Sequence, residues 1–346
     1  MTMMERLKTA RAFDALGLGE VMLRLSPVNH ERIGQGDVFE KRAGGSELNV
    51  VSGISLLGLR TGVITKLPHN EIGSFIKNRI RFCGVSDDYL IYDAERGARL
   101  GIYYYEGGAY PRKSSVVYDR AGSAFTTLEL SELPESMYAS TRLFHTSGIT
   151  LALTGHTCAT GVEMIKRFHE AGAVISFDCN YRANLWDEDR AREVIQGILP
   201  MVDILFVSEE TSRRMMARTG TMEEIMRGYC DQFGISAVAS TARTIISPRK
   251  HTFTSTIYSA ERNAFFTEEP YRNIEVIDRI GSGDAYVAGV LYGLLSSGDF
   301  ERALRYGNAM SAIKNTVPGD LPDSSPGEIE RIICDHQTGS KSEMNR

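Results

Sequence analysis

At 346 residues, 42% of them hydrophobic and 24% charged, the chain can bury a sizeable core and has the ordinary composition of a globular protein. A formal net charge of −5 argues against a general nucleic-acid binder, which needs a basic face, and no apolar run approaches the roughly 20 residues of a membrane span. Cys83, Cys158, Cys179, Cys230 and Cys334 are scattered and form no CxxC pair, so they read as reduced thiols of a cytoplasmic protein, not as a disulfide or zinc framework.

In chain order, the polar start through Arg11 reads as a short loose leader. Residues 13–19 form a first strand and its exit turn, and 48–57 an apolar, small-residue helix that Gly58 stops. A strand over 61–66 and a helix over 71–83 follow. Between about 90 and 126 the texture changes: Gly101-Ile-Tyr-Tyr-Tyr105 and Ser115-Val-Val-Tyr118 alternate and are rich in β-formers, predicting an antiparallel excursion that residues 21–42 can join. From Leu143 onward, short apolar strands (142–146, 173–177, 204–207, 236–240) alternate with helices (158–171, 188–199, 209–217, 222–233). That rhythm predicts an α/β fold with a mostly parallel sheet covered on both faces, and functional residues just beyond the carboxyl ends of its strands. The stretch from His336 onward, 336–346, reads as a loose tail.

Three stretches carry chemistry. Asp278-Arg-Ile-Gly281-Ser282-Gly283-Asp284 runs into an apolar helix. A Gly-x-Gly turn at a helix start leaves backbone N–H groups unpaired and pointing one way, where the macrodipole adds positive potential, so the spot suits a phosphate. Asp284 at that entry is either a cap or a base that takes a proton from a hydroxyl attacking the phosphate. Ala285, Gly289 and Gly293 recur every four residues and let the helix lie close to its neighbours. Upstream, Gly44-Gly45-Ser-Glu-Leu-Asn49 again sets paired glycines before a helix; taken alone it is also an ordinary helix-start turn. Asp178-Cys-Asn180-Tyr-Arg182-Ala-Asn-Leu185-Trp186 follows a parallel strand, and Arg182 is suited to hold a carboxylate by a forked pair of hydrogen bonds. Its alternative is an exposed arginine on a loop.

With these motifs in this order, the chain resembles the ribokinase-like (PfkB) sugar kinases over about 14–322. Asp178-x-Asn180-x-Arg182-x-x-Leu185-Trp186 and Gly101-x-Tyr103 with Tyr118-x-Arg120 are similar to the ketodeoxygluconate-kinase subgroup. The resemblance implies one kinase domain over 1–335, a three-layer sandwich with a small β-sheet lid from about 21–42 and 97–126. It implies transfer of the ATP γ-phosphoryl group to the terminal hydroxyl of a sugar acid. In that picture Asp284 is the general base, and Gly281, Ser282 and Gly283 supply the anion hole. Gly44, Gly45, Asn49, Tyr103, Tyr105, Arg182 and Asp320 hold substrate, and Ser240, Arg243 and Asn308 lie near the nucleotide. ATP and Mg2+ are the implied cofactors, with room for a monovalent cation, and a homo-oligomer is expected by analogy.

The chain departs from the family's pattern. Arg279 stands where many relatives have Thr, and Ser282 where Ala is common. The Asn-x-x-Glu element that organises magnesium appears as Ser208-Glu209-Glu210-Thr211, which leaves Glu209 as the expected carboxylate. Three alternatives stay open at this level: a kinase for a neutral sugar, a sugar sensor without catalysis, and a dinucleotide-binding dehydrogenase. The last is disfavoured because Tyr286 occupies the step where a third glycine belongs.

Overall fold

The computed structural model describes residues 1–339. Its main sheet has ten strands. Seven run parallel in the order Ala237–Ser247, Ile204–Phe206, Val174–Asp178, Thr141–Ser147, Phe13–Leu18, Thr61–Pro68 and Leu90–Asp93. At one edge Lys250–Ser259 pairs antiparallel with Ala237–Ser247 and carries Ala264–Thr267 and Tyr271–Glu275 beside it.

Side chains alternate between the two faces of each strand, and each face has its own core. Ala15, Leu143, Val174, Ile204 and Ala237 point to one side, where helices Ser46–Leu56, Ser282–Ser297 and Phe300–Asn315 pack. Leu16, Phe144, Ile175, Leu205 and Val238 point to the other, under Gly155–Glu170, Glu188–Ile198 and Met222–Phe233. The helix Ser282–Ser297 lies tight against Phe300–Asn315: an added Cβ at Gly289 would sit 2.6 Å from Tyr306 backbone, and at Gly293 2.4 Å from Ala303 Cα. The four-residue spacing of small side chains serves this contact.

A separate four-stranded sheet lies in the order Phe39–Gly44, Met22–Pro27, Ile102–Glu106, Ser115–Asp119. It is not wholly antiparallel, since Met22–Pro27 and Ile102–Glu106 run parallel. Arg120, just after its last strand, donates to Glu20 at 2.8 Å, and Ser123 bonds the same carboxylate. The Tyr118-x-Arg120 signature thus anchors the small sheet to the core.

Both ends of the chain are more ordered than their polarity suggests. Met3–Leu7 is a helix capped by Thr2, with Met3 and Leu7 buried and Arg6 paired to Asp203, so the expected loose leader is a docked element. The helix Pro326–Thr338 continues through His336, whose ring stacks on Tyr271 at 3.7 Å between centroids. The rest of the expected tail, 340–346, lies outside the described residues. Among the described residues every cysteine is free.

Candidate active site

The carboxyl ends of the parallel strands converge on the start of the helix Ser282–Ser297. Gly281 caps that helix in the left-handed region (φ 81°), and an added Cβ would lie 2.1 Å from the Asp320 carbonyl oxygen, so glycine alone fits. The Ser282 N–H turns inward to Arg279 O at 3.2 Å, and Ala285 N–H closes the first turn on Gly281 O at 2.8 Å. The N–H groups of Gly283 and Asp284 have no acceptor among the described residues and remain available to an anion. The Gly281 N–H likewise has no acceptor among the described residues, whereas that of Ser282 is taken up inward, so the free donors here are Gly281, Gly283 and Asp284 and not Ser282.

Asp284 is held from across the fold. Ser46 Oγ donates to its Oδ1 at 2.8 Å and Asn49 Nδ2 to its Oδ2 at 2.7 Å. Asn180, itself strained at φ 34°, donates to Ser46 Oγ at 3.1 Å. Two donors occupy half of the carboxylate's acceptor positions and leave the others for a substrate hydroxyl. Burial pushes the Asp284 carboxyl above its ordinary value, against the pull of the Asn49 and Ser46 hydrogen bonds. Asn49 is 2% exposed, and its Oδ1 has no partner. A buried acceptor left open at a cavity wall calls for a donor from outside.

Two cavities meet here. One, of about 330 Å³, is lined by Gly45, Asn49, Tyr103, Arg182, Arg243, Arg279, Gly281 to Asp284 and Asp320. The second, of about 390 Å³, runs past Ser208, Glu210, Thr211 and Thr241. Asp178, Asn180, Arg182 and Gly283 line both. Asp178 ends its strand at this junction, and burial together with the Asp284 charge pushes its carboxyl up to about 7. Three guanidinium groups, those of Arg182, Arg243 and Arg279, reach the first cavity without a carboxylate partner among the described residues. Partial desolvation and repulsion from Arg279 hold Arg243 below the usual guanidinium value.

The remaining expected residues divide between wall and scaffold. Gly44 lies behind Gly45, where an added Cβ would come within 2.5 Å of Asp320 Oδ2. Asp320 reaches the cavity, but its carboxylate accepts from Tyr103 Oη and pairs with Arg24 at 2.7 Å. Tyr105 stands behind, its ring 4.3 Å from the Arg24 guanidinium. Ser240 is buried between Ala239 and Thr241, which do line the second cavity. Asn308 is fully buried, accepting from Ser255 Oγ at 2.7 Å and donating to Glu268 at 2.9 Å, and meets neither cavity. Glu209 and Glu210 are both exposed and each pairs with an arginine one helical turn on, Arg213 and Arg214; of the two, only Glu210 borders the second cavity. Arg243 stands with the Asp284 cavity, not the second one.

Sequence reasoning missed Ser46, which lay inside a motif read for its glycines and Asn49, and Arg24, which no motif marks. Arg24 is 3% exposed and also pairs with Asp278 at 2.5 Å. It joins the small sheet to the start of the glycine loop and to the loop of Asp320.

Residues 14–326 match the model of the pfkB family carbohydrate kinases. The chain belongs to this family. As a pfkB-family kinase it is a phosphotransferase acting on an alcohol. It is 35% identical to the 2-dehydro-3-deoxygalactonokinase of Haloferax volcanii over 92% of this chain and 96% of the other. It is 29% identical to the 5-dehydro-2-deoxygluconokinase of Bacillus subtilis, over 93% and 96% respectively. The crystal structure of a 2-dehydro-3-deoxygluconokinase from Thermotoga maritima superposes with a TM-score of 0.88 at 31% identity, covering 94% of this chain and 100% of that one.

Proposed function

We propose that this kinase transfers the γ-phosphoryl group of ATP to the terminal hydroxyl of a 2-keto-3-deoxy sugar acid of the gluconate or galactonate type, with 2-keto-3-deoxygluconate the first candidate. The observation that carries this reading is the set of unpaired guanidinium groups, Arg182, Arg243 and Arg279, in the same cavity as Asp284. A neutral sugar gives such a cavity nothing to neutralise, whereas a carboxylate answers one arginine and a phosphate the others. The names of the three relatives, all kinases of keto-deoxy sugars, point the same way.

In this mechanism the sugar occupies the Asp284 cavity with its carboxylate toward Arg182, and the Asn49 Oδ1 accepts one of its hydroxyls. The terminal hydroxyl lies against Asp284, which takes its proton as the oxygen bonds the γ-phosphorus and the bond from that phosphorus to the β–γ bridging oxygen breaks, ADP leaving with the electron pair. The free N–H groups of Gly283 and Asp284 receive the equatorial oxygens of the transferring group. The nucleotide enters through the cavity of Ser208, Thr211 and Thr241, which meets the first at Gly283.

Magnesium supplies charge neutralisation on the phosphates when bound. Among the described residues no cluster of three or more His, Cys, Asp or Glu could hold a metal. Asp178 and Glu210 are the carboxylates on the nucleotide-side wall, and so sparse a set fits an ion that keeps waters and phosphate oxygens as its main ligands.

A coupled assay of ATP consumption tests the proposal with 2-keto-3-deoxygluconate, its galacto epimer, fructose and ribose. One of the two acids is expected to give the highest kcat/KM. A neutral sugar matching or exceeding both acids overturns the assignment.

A further inference from the structure

Lys314 is 1% exposed, yet it sits at the end of the helix Phe300–Asn315 with no carboxylate paired to its ammonium among the described residues. Its Nζ donates instead to two backbone carbonyls, Asp278 O at 3.2 Å and Val317 O at 3.0 Å. Those carbonyls belong to the glycine loop and to the loop of Asp320 packed against it. Asp278 opens the glycine loop, and Val317 opens the loop that carries Gly319 and Asp320. The loops are further joined by Gly319 N–H donating to Asp278 Oδ2 at 2.9 Å and by Ile277 N–H donating to Asn315 O at 2.8 Å. Asp278 in turn receives the Ile280 N–H at 3.0 Å, one residue before Gly281.

Carbonyl oxygens from separate loops converging on one buried point are the usual setting for a desolvated monovalent cation. Here that point is filled by a side chain. The negative end of the helix favours the charge, as do the Asp278 and Asp320 carboxylates, while burial draws Lys314 down to about 8. A free potassium or sodium ion does not fit where the ammonium already stands.

We infer that Lys314 is an internal cation: its ammonium takes the place of a monovalent metal ion in clamping the loop of Gly281 to Asp284 against the loop of Asp320, so this kinase works without potassium or sodium. Lys314 touches neither cavity and is therefore a positioning residue. The inference rests on the kinase reading, but part of its test does not.

Wild-type activity is measured in potassium, sodium and choline chloride at equal ionic strength, alongside Lys314→Ala and Lys314→Met. The wild type is expected to vary less than twofold across the three salts. Lys314→Ala in choline is expected to lose at least tenfold in kcat with a smaller change in KM, and to recover in part with potassium, ammonium or methylamine. Lys314→Met, which fills the space without charge, is not expected to recover. The melting temperature supplies a readout independent of substrate: that of Lys314→Ala should rise in potassium over choline, and that of the wild type should not. A wild type stimulated fivefold or more by potassium, or stabilised by it over choline, overturns the inference even if the alanine variant fails to fold. An alanine variant with undiminished kcat, or one whose loss no small cation relieves, overturns it as well. Should no sugar acid prove a substrate, the melting comparisons still decide the cation question.

Discussion

Replacing Asp284 with asparagine isolates the role of its charge. The side chain keeps its size, and Ser46 can still donate to the remaining oxygen, as it does now at 2.8 Å. The new amide nitrogen faces the Asn49 Nδ2 that now donates at 2.7 Å, donor against donor. Asn49 escapes by rotating its amide, which turns its unpartnered Oδ1 onto the new residue and presents Nδ2 to the cavity instead. Substrate loses one acceptor, worth about 1 kcal/mol, or roughly fivefold in KM. The loss of a positioned base is larger, about a hundredfold to ten-thousandfold in kcat, or roughly 2.7 to 5.4 kcal/mol of barrier. Steady-state kinetics with the sugar acid, in a variant whose melting temperature is checked first, separates the two terms. A variant retaining more than a tenth of wild-type kcat, or one whose whole loss lies in KM, refutes the assignment of Asp284 as base.

Arg182→Ala should lower kcat/KM for the sugar acid by about ten- to a hundredfold, the worth of a charged hydrogen-bonded pair, and leave any weak turnover of a neutral sugar unchanged; equal loss on both substrates denies it the carboxylate. Arg24→Met removes one cation from between two buried carboxylates 2.5 and 2.7 Å away, and should cost about 3 to 5 kcal/mol in urea unfolding; a loss under roughly 1 kcal/mol means that the cluster is not held by charge. The acid limb of kcat/KM against pH should lie well above the ordinary carboxylate range. Asp284 is raised and Asp178 stands at about 7, and both are needed ionised, so activity is present above the limb and lost as pH falls through it; a limb near pH 4 contradicts this.

The legible part of this protein was whatever a short stretch encodes by itself. Apolar runs such as 173–177, flanked by helical spacing, gave the parallel sheet, and the glycine turn before Ala285 gave the helix entry and the side on which the site lies. What stayed hidden depends on contacts between distant segments. The hydroxyl of Ser46 is an ordinary helix-start residue until Asp284, 238 positions away, is packed beside it. Arg24 reads as one cation in a strand, and only the fold places Asp278 and Asp320 around it. Glu209 and Glu210 are adjacent in sequence and each pairs with an arginine one turn on, but helix rotation brings only Glu210 to the edge of the cavity. Asn308 shows the converse: a residue type suited to a nucleotide is consumed by Ser255 and Glu268. The polar ends misled for a related reason, since Met3, Leu7 and His336 find partners that no local pattern announces.

Asp284 and the residues that aim it come from two helices packed against each other, Ser46–Leu56 and Ser282–Ser297. Their separation is set far from the chemistry, at Gly53, where an added Cβ would lie 2.7 Å from that of Ala288. A shift of that contact moves Ser46 and Asn49 together relative to Asp284, so core packing fixes the direction in which the carboxylate presents its free positions. The small sheet acts on the same point by another route. Arg24 lies on its strand Met22–Pro27 and grips Asp278 and Asp320, the two acids that bracket the glycine loop. Movement of that strand is thereby coupled to the loop whose N–H groups are left free. The small sheet and the free N–H groups of the glycine loop are thus held by one buried ion cluster, and neither can be displaced without straining the other.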